Sequence, residues 1–379
     1  MKYITVFSLV FLMACGGSNP PSPTPTPITT GTAIPVPTNT VVPPSPTATA
    51  TPIPTATPIP TATVLPTATA TPIPTAIPVE ISRVPRYASS YDSWNMHVGN
   101  KYIQFRCQNN WLESQNEGRD RIWRRESLDG ITNWTNDQVV IQGINTTDQD
   151  DLSCSPGVVI APNGIWHMYY VTAPRAAVCR IEMWHATSTD GFTWSKKGKI
   201  ASVPVSDCSL VEPSPILEAN KIAVYFPANW GNAGGWPNLW RMESFDVDGH
   251  GFTIPTRIGT PTKFLGGRVS LVNGTYILAY SYTLSGTNHI PDSIYITSDA
   301  NSPPSFPDGY NVAQVVPDSF YTTQLIADNY LEGRLYASGN YMPLCNGQNP
   351  LTDCSDYPNA IGVFLNVPVV QPQTLVKKP

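Results

Sequence analysis

The chain has 379 residues and a formal net charge of −5, and its 22 lysines and arginines form no basic cluster. That distribution argues against nucleic acid as a partner, because a nucleic-acid surface needs concentrated positive charge. The 40 prolines are densest in residues 20–78, and residues 80–370 are long enough to enclose a single large core.

The N-terminus has the three parts of an export signal. Lys2 supplies the positive charge, residues 3–13 form an apolar run too short for a permanent membrane span, and a small-residue cleavage site ends at Cys15. A cysteine directly after such a run, followed by two glycines and a serine, resembles the lipobox of bacterial lipoproteins. The resemblance implies that residues 1–15 are a signal peptide with Cys15 as the lipidated anchor. We therefore expect an extracytoplasmic protein, lipid-anchored to the cell membrane or cell surface. An ordinary secretory signal with an incidental cysteine is the alternative.

A Pro/Thr-rich linker follows at residues 16–79. No charged residue lies between Lys2 and Glu80. Proline removes backbone donors and fixes φ, so neither helix nor sheet is expected here. The composition predicts a disordered stalk with extended polyproline-II character, rising about 3.1 Å per residue and able to reach on the order of 150 Å.

Residues 80–370 have the pattern of an all-β domain. Short apolar, aromatic and β-branched runs alternate with turns, and no helical periodicity extends beyond about ten residues. Two units recur along this part. One comprises Ser127, Asp129, Gly130 and Trp134, and it repeats at residues 188–194 and, more weakly, at residues 248–252. An Asp-Gly turn followed by an aromatic residue is typical of a blade end.

The second repeated unit is a turn followed by a strand. Its copies contain Gly99, Gly164, Asn220 and Gly274, with a fifth near Gly333. Four or five such units, each of about four antiparallel strands, predict a β-propeller.

Six cysteines remain beyond Cys15, an even number that favours disulfides in an exported domain. Only Cys345 and Cys354 are close enough in sequence for a pairing to be predicted. No spacing of cysteines or histidines indicates a zinc site.

Residues 155–170 and 186–194 resemble an inner strand pair and a blade end of the five-bladed propellers of glycoside hydrolase families 43 and 32. The resemblance extends over about residues 87–367. The resemblance to these families implies a five-bladed β-propeller, and the resemblance to family 43 implies inverting hydrolysis by carboxylates that project from the innermost strands. Such hydrolysis requires no cofactor. Some relatives hold a calcium ion on the propeller axis, but the sequence shows no dedicated oxygen cage, and no metal site is predicted.

Two catalytic roles follow from this resemblance. Glu212, which precedes the turn at Asn220, matches the general acid, and Asp92, which precedes Gly99, matches the general base. The acid would need a raised pKa from burial and a nearby carboxylate. Alternatively, Glu212 caps a strand or pairs with Arg268, and Asp92 is an ordinary turn residue.

The second-blade position departs from the family pattern. Where the family has Asp-Pro, this chain has Ser155 and Pro156. Asp150 and Asp151 stand a few residues earlier, and we predict Asp151 as the third catalytic carboxylate, with a loop or ion-binding role as its alternative. Ser155 and Arg268 are predicted to contact substrate.

A loop with three tryptophans, Trp230, Trp236 and Trp240, lies among glycines and asparagines after Glu212. Tryptophan faces stack on sugar C–H surfaces, so the loop and Trp94 are predicted to bind substrate. An aromatic plug between blades is the alternative.

These features predict a surface-tethered glycoside hydrolase acting on a polysaccharide of the arabinan, xylan or fructan type. Its partners would be a polysaccharide or oligosaccharide and the membrane, and nothing indicates an oligomer. A non-catalytic carbohydrate-binding or adhesion propeller is the alternative, favoured by Ser155 in place of an aspartate. A third reading is a structural envelope protein.

Overall fold

The computed structural model describes residues 78–82, 88–110, 120–143, 151–174, 180–204, 206–207, 210–230, 237–261, 264–282, 293–307, 313–316, 325–339, 360–364 and 367. The signal peptide, Cys15 and nearly all of the Pro/Thr-rich linker lie outside these residues. Within them every regular element is a β-strand, which confirms the all-β fold. None of the described residues belongs to a helix able to cross a membrane.

The described strands form five antiparallel sheets, one per blade. The chain starts with β1 (Pro78–Ser82), which belongs to the last sheet. Blade 1 consists of β2 (Ala88–Val98), β3 (Lys101–Asn110), β4 (Asp120–Ser127) and β5 (Thr135–Ile141). Blade 2 consists of β6 (Leu152–Ile160), β7 (Trp166–Ala173), β8 (Arg180–Ser188), β9 (Ser195–Lys199) and β10 (Ser206–Asp207).

The remaining strands follow the same order. Blade 3 consists of β11 (Ser214–Glu218), β12 (Lys221–Ala228), β13 (Asn238–Glu243) and β14 (Thr256–Ile258). Blade 4 consists of β15 (Phe264–Val272), β16 (Thr275–Tyr282), β17 (Ser293–Asp299) and β18 (Ala313–Val316). Blade 5 consists of β19 (Leu325–Leu331), β20 (Arg334–Gly339) and β21 (Ala360–Phe364), completed by β1.

The five blades close into a ring. The first strand of each blade contacts the first strand of the next, and the last of these contacts, between β19 and β2, completes the circle. Strand β1 adds to the outer edge of blade 5 by pairing with β21, with Ser82 opposite Ile361. The two ends of the domain therefore share one sheet, which takes in Pro78 and Val79 from the Pro/Thr-rich stretch. The predicted five-bladed propeller is confirmed.

Glycines make the tight turns that the sequence repeats predict. Gly99, Gly164, Gly274 and Gly333 each join the first two strands of a blade and have φ between 64° and 82°. Glycine has no Cβ, so it adopts this left-handed conformation without the strain that other residues meet. In blade 3 the same turn is made by Ala219, with φ of 47°.

The blade-end motif is built around an aspartate. Asp190 Oδ1 accepts the backbone N–H groups of Phe192 and Thr193, both at 2.8 Å, and Trp194 Nε1 donates to the carbonyl of Gly191 at 3.1 Å. Asp129 makes the equivalent bonds in blade 1. These N–H bonds stabilise the charged carboxylate and lower the pKa of Asp190.

Two further blades contain a related turn. In blade 3, Asp246 accepts the backbone N–H of His250. The sequence repeat places this aspartate two residues later, at Asp248. In blade 4, Asp299 accepts the N–H groups of Asn301 and Ser305. The blade 4 copy has no Asp-Gly pair, so the sequence comparison missed it.

Apolar clusters fill the spaces between blades. Phe105 of blade 1 contacts the ring edges of Trp166 and Trp194 of blade 2, with centroids 6.5 and 5.9 Å apart. At the same boundary, the Arg124 guanidinium lies 3.5 Å from the ring centroid of Phe192. The blade-end aromatic residues Phe192 and Trp194 of blade 2 therefore pack against blade 1.

A disulfide joins Cys107 in β3 to Cys154 in β6, with the two Cα atoms 4.8 Å apart. It cross-links blades 1 and 2, a pairing that sequence spacing gave no reason to choose. The predicted Cys345–Cys354 pair lies outside the described residues. Among the described residues one cluster of potential metal ligands occurs, Asp120 with these two disulfide sulfurs. Because the sulfurs are bonded to each other, this cluster offers no metal site.

Candidate active site

The innermost strands of blades 1 to 3 each bring a strained residue to the ring centre. Asp92, Ser155 and Glu212 have φ of 49°, 48° and 53°. Asp92 and Ser155 sit at bulges in β2 and β6, and Glu212 lies just ahead of β11. A left-handed conformation costs a residue other than glycine about 1–3 kcal/mol and persists where the surroundings enforce it, commonly at functional sites. The three positions that the resemblance selected therefore share one backbone geometry.

Hydrogen bonds connect these positions across the blades. Ser155 Oγ donates to Asp92 Oδ2 at 2.5 Å, and the Asp92 backbone N–H donates to Ser338 Oγ of blade 5 at 3.1 Å. Arg268 of blade 4 donates to the carbonyl oxygens of Pro213 at 2.9 Å and Asp92 at 3.3 Å. The contacts bring together groups from all five blades, with blade 3 contributing the backbone carbonyl of Pro213.

Glu212 is held as a neutral acid. Its residue is 3% exposed, and its Oε2 accepts no hydrogen bond from the described residues. The same oxygen lies against Gly266, where a Cβ would come within 3.0 Å of it, so a side chain at that position would press on the carboxyl group. Burial, reinforced by the negative charge of Asp92, raises the Glu212 pKa to about 8, although Arg268 opposes the rise.

Asp92 has more support for its charged form. Burial leaves the Asp92 pKa above its ordinary value, while the Arg268 charge and the hydrogen bond from Ser155 act in the opposite direction. Glu212 also has the Arg268 charge and a backbone hydrogen bond from Gly267, but the negative charge of Asp92 has a larger effect there than Arg268, and this difference favours a proton on Glu212 and a charge on Asp92. Two carboxyl groups whose environments differ in this way are suited to the acid and base roles of one reaction.

Arg268 is fully buried in β15, with its guanidinium carbon 5.6 Å from the ring centroid of Trp94. Its described hydrogen bonds go to two backbone carbonyls, so it holds blades 1 and 3 at fixed positions and supplies the positive charge among the carboxyl groups. Contact with substrate, the role expected of Arg268, stays a prediction.

Asp328 of blade 5 is the member of this group that the sequence analysis missed. It is fully buried, and it accepts hydrogen bonds from Ser93 at 2.6 Å and from Ser338 at 3.1 Å. The available signal was an acidic residue ahead of the fifth repeat at Gly333. In the family pattern the carboxylates come from blades 1 to 3, so the pattern gives no reason to select a residue in blade 5.

Asp151, the predicted third carboxylate, is buried one residue before β6. It is four residues from Ser155, so in an extended strand their Cα atoms are on the order of 10 Å apart. Its catalytic role stays a prediction, and Asp150 lies outside the described residues.

The predicted sugar-binding tryptophans fall into two environments. Trp94 is 6% exposed and belongs to the apolar cluster between blades 1 and 2. Trp230 and Trp240 are half-buried, with ring centroids 4.9 Å apart, and they pack with Phe226 against the cluster between blades 2 and 3. The buried parts of the Trp230 and Trp240 rings therefore act as an aromatic plug between blades, which was the alternative to sugar binding. Trp236 lies outside the described residues.

Solved structures similar to this chain are glycoside hydrolases. One is a family 117 glycoside hydrolase of the marine bacterium Zobellia galactanivorans, with 13% identity and a TM-score of 0.51 over 76% of this chain and 89% of that chain. Another is a family 43 β-xylosidase/α-arabinofuranosidase from a compost microbial metagenome in complex with xylotriose, with 12% identity and a TM-score of 0.54 over 76% and 94% of the two chains. A third is a family 43 enzyme of Xanthomonas citri, also with xylotriose, at 12% identity and a TM-score of 0.54 over 76% and 89%.

The fold is that of the family 43 and family 117 glycoside hydrolase propellers. The resemblance to family 43 propellers is therefore confirmed for the fold. At 12–13% identity the likeness extends no further than the fold. No protein-family model matches the sequence, and neither does any curated protein.

Proposed function

We propose that this chain is an inverting glycoside hydrolase in which Glu212 is the general acid and Asp92 the general base. The observation that carries the proposal is the pairing of the Glu212 and Asp92 carboxyl groups in contrasting environments. Both carboxyls occupy strained backbone positions, Asp92 in the innermost strand of blade 1 and Glu212 just ahead of that of blade 3, and their surroundings favour a proton on Glu212 and a charge on Asp92.

The reaction needs both groups in one step. Glu212 gives its proton to the glycosidic oxygen as the bond from that oxygen to the anomeric carbon breaks. Asp92 takes a proton from a water molecule whose oxygen forms the new bond to the same carbon on the opposite face. The product sugar then has the inverted configuration, and a separation of about 6.5–9.5 Å between the carboxyl groups leaves room for that water.

The proposed substrate is a polysaccharide or oligosaccharide of the arabinan, xylan or fructan type. Support for the pentose polymers comes from two solved structures of similar fold, which are described as bound to xylotriose. We further propose that Cys15 anchors the protein in the membrane and that residues 16–79 extend the propeller away from it, toward an external polymer.

A test is hydrolysis by the full-length chain on arabinan, xylan, fructan and nitrophenyl glycosides. E212Q is expected to lower kcat by about 10²–10⁴-fold, because it removes the proton donor. E243Q makes the same chemical change at a blade 3 glutamate that pairs with Lys221 and Arg241, and is expected to leave the rate unchanged. Nuclear magnetic resonance of the first product formed would show inversion; retention of configuration would contradict the mechanism.

A binding propeller without turnover is the second candidate. Ser155 favours it, because this chain has a hydroxyl where the family has a carboxylate. No hydrolysis of any substrate, together with retardation of the chain in a polysaccharide-containing gel, would support this candidate over the enzyme.

A further inference from the structure

The innermost strand of blade 5 presents a buried carboxyl group to the ring centre. Asp328 lies at a bulge in β19 between Ala327 and Tyr330, as Asp92 lies at a bulge in β2. Strands β19 and β2 are neighbours in the ring. Blade 5 therefore supplies an acid at the same kind of position that blade 2 fills with the neutral Ser155.

Two serine hydroxyls contact the Asp328 carboxyl group. The other hydrogen bonds of these hydroxyls show which group donates the proton in each contact. Ser93 Oγ accepts from Asn95 Nδ2 at 3.1 Å, and Ser338 Oγ accepts from the Asp92 backbone N–H at 3.1 Å. Each hydroxyl has one proton, which it donates to an Asp328 oxygen. Asp328 is thus an acceptor at both oxygens, the pattern that suits an ionised carboxylate, and one intervening hydroxyl connects it to the backbone of Asp92.

The charges around Asp328 do not balance. The ionisable groups that act on one another here are Asp92 from blade 1, Glu212 from blade 3 and Arg268 from blade 4, whereas blade 2 contributes the neutral Ser155. Three carboxyl groups thus share one guanidinium group in a buried site. Ionising all three would leave uncompensated negative charge in a medium of low dielectric, so at least one retains a proton.

We propose that Asp328 is the third carboxyl group of this site, a positioning residue that replaces the missing second-blade carboxylate. It fixes the backbone of Asp92 through Ser338, and its negative charge keeps the proton on Glu212. This inference rests on the proposed hydrolytic function, and it moves the third carboxyl group from Asp151 to a different blade.

The electrostatics agree with the geometry. Burial raises the Asp328 pKa to about 7, against the effects of Arg268 and the Ser93 hydrogen bond. Asp328 is also one of the charges that raise the Glu212 pKa, after burial and Asp92. Near the Glu212 pKa of about 8, Asp328 is largely ionised and resists the loss of the Glu212 proton.

The test is the pH profile of kcat/KM for the full-length D328N variant. Removing the charge while keeping the shape is expected to move the alkaline limb, which reports Glu212, to lower pH by about one unit. A purely structural role would lower the rate or the stability and leave that limb in place. An unmoved limb in a folded D328N chain would overturn the proposal.

Two more variants separate the effects and cover a failure of D328N to fold. S93A keeps the carboxyl group but removes a donor to its ionised form, so the alkaline limb is expected to shift in the same direction by a smaller amount. S338A also removes a donor to Asp328 and in addition breaks the connection to Asp92, so the alkaline limb is expected to shift in the same direction while kcat falls further than in S93A. If D328N does not fold and the alkaline limb of S93A lies at the same pH as that of the unaltered chain, the proposal is wrong.

A readout without substrate distinguishes this proposal from the hydrolytic function. Carbon-13 resonances of labelled glutamate carboxyl groups report the Glu212 titration directly, with E212Q used to assign the signal. A lower Glu212 pKa in D328N supports the electrostatic role of Asp328 even when no substrate is hydrolysed. An unchanged Glu212 pKa would refute that role whether or not the chain is an enzyme.

Discussion

Ser155 donates a 2.5 Å hydrogen bond to Asp92 across the boundary between blades 1 and 2. Ser155 is the residue that departs from the family pattern, so this contact shows what the departure does. A carboxylate at this position would repel Asp92, whereas the hydroxyl group lowers the Asp92 pKa and favours its charged form. The substitution is therefore compatible with Asp92 as a base.

S155A tests this relationship. Loss of a hydrogen bond to a charged group costs about 1.5–3 kcal/mol, which corresponds to roughly one to two units in the Asp92 pKa. The acidic limb of the kcat/KM profile is expected to move upward by that amount. S244A removes another fully buried serine hydroxyl, at the blade 3 turn, and is expected to leave the limb where it is. An unmoved limb in S155A would mean that Asp92 is not the base.

The pH dependence of stability provides a test that needs no substrate. The Glu212 pKa is raised from its ordinary 4.5 to about 8 by burial, so the folded chain holds a proton that the unfolded chain releases between these values. Stability from this group is complete below pH 4.5 and is lost as pH rises through 8. E212Q imitates the protonated form, so its Tm is expected to exceed that of the unaltered chain at pH 9 and to equal it near pH 4.5.

Glu243 offers a control of opposite sign. Its bond from Lys221 and its interactions with Arg241 lower the Glu243 pKa, so its contribution to stability is present above its ordinary pKa of 4.5. E243Q is therefore expected to lower the Tm at neutral pH rather than raise it at pH 9. Equal Tm differences for E212Q at pH 5 and pH 9 would contradict the assignment of a raised Glu212 pKa.

The Cys107–Cys154 disulfide predicts a loss of stability on its removal. It closes a loop of 47 residues between two blades, and removing such a cross-link costs about 2–4 kcal/mol. Replacing both cysteines by serine is expected to lower the free energy of unfolding by that amount in urea titrations. Cys154 Sγ also lies 3.9 Å from Asp92 Oδ2, so catalysis is expected to weaken in parallel. A folded double variant of unchanged stability would show that the bond contributes no constraint.

The proposed lipidation of Cys15 predicts where the chain is found. C15S retains the apolar run but replaces the cysteine at which the predicted cleavage site ends and which would carry the lipid. Cell fractionation is expected to recover the unaltered chain with membranes and the C15S chain in the soluble extracytoplasmic fraction. Equal membrane recovery of both chains would indicate attachment by another means.

The repeats in the sequence were sufficient for the fold class and for four or five blades, and the family resemblance gave the number five. The turns at Gly99, Gly164 and Gly333 and the motif around Asp129 and Asp190 are local structures, specified by a few consecutive residues and repeated at blade spacing. Local conformational preferences and apolar alternation are readable without knowing what lies across the ring. Asp92 and Glu212 were selected through the resemblance to family 43 propellers, which matches each of them to a position ahead of such a turn.

Only the tertiary structure showed which side chains meet at the centre. Asp328 is 236 residues from Asp92 in the chain, and their connection through Ser338 exists because closure of the ring makes the first and last blades neighbours. The Cys107–Cys154 pairing depends on the same docking of blades. Burial and opposing charge decide the Glu212 pKa, and these are properties of the assembled ring rather than of any local segment.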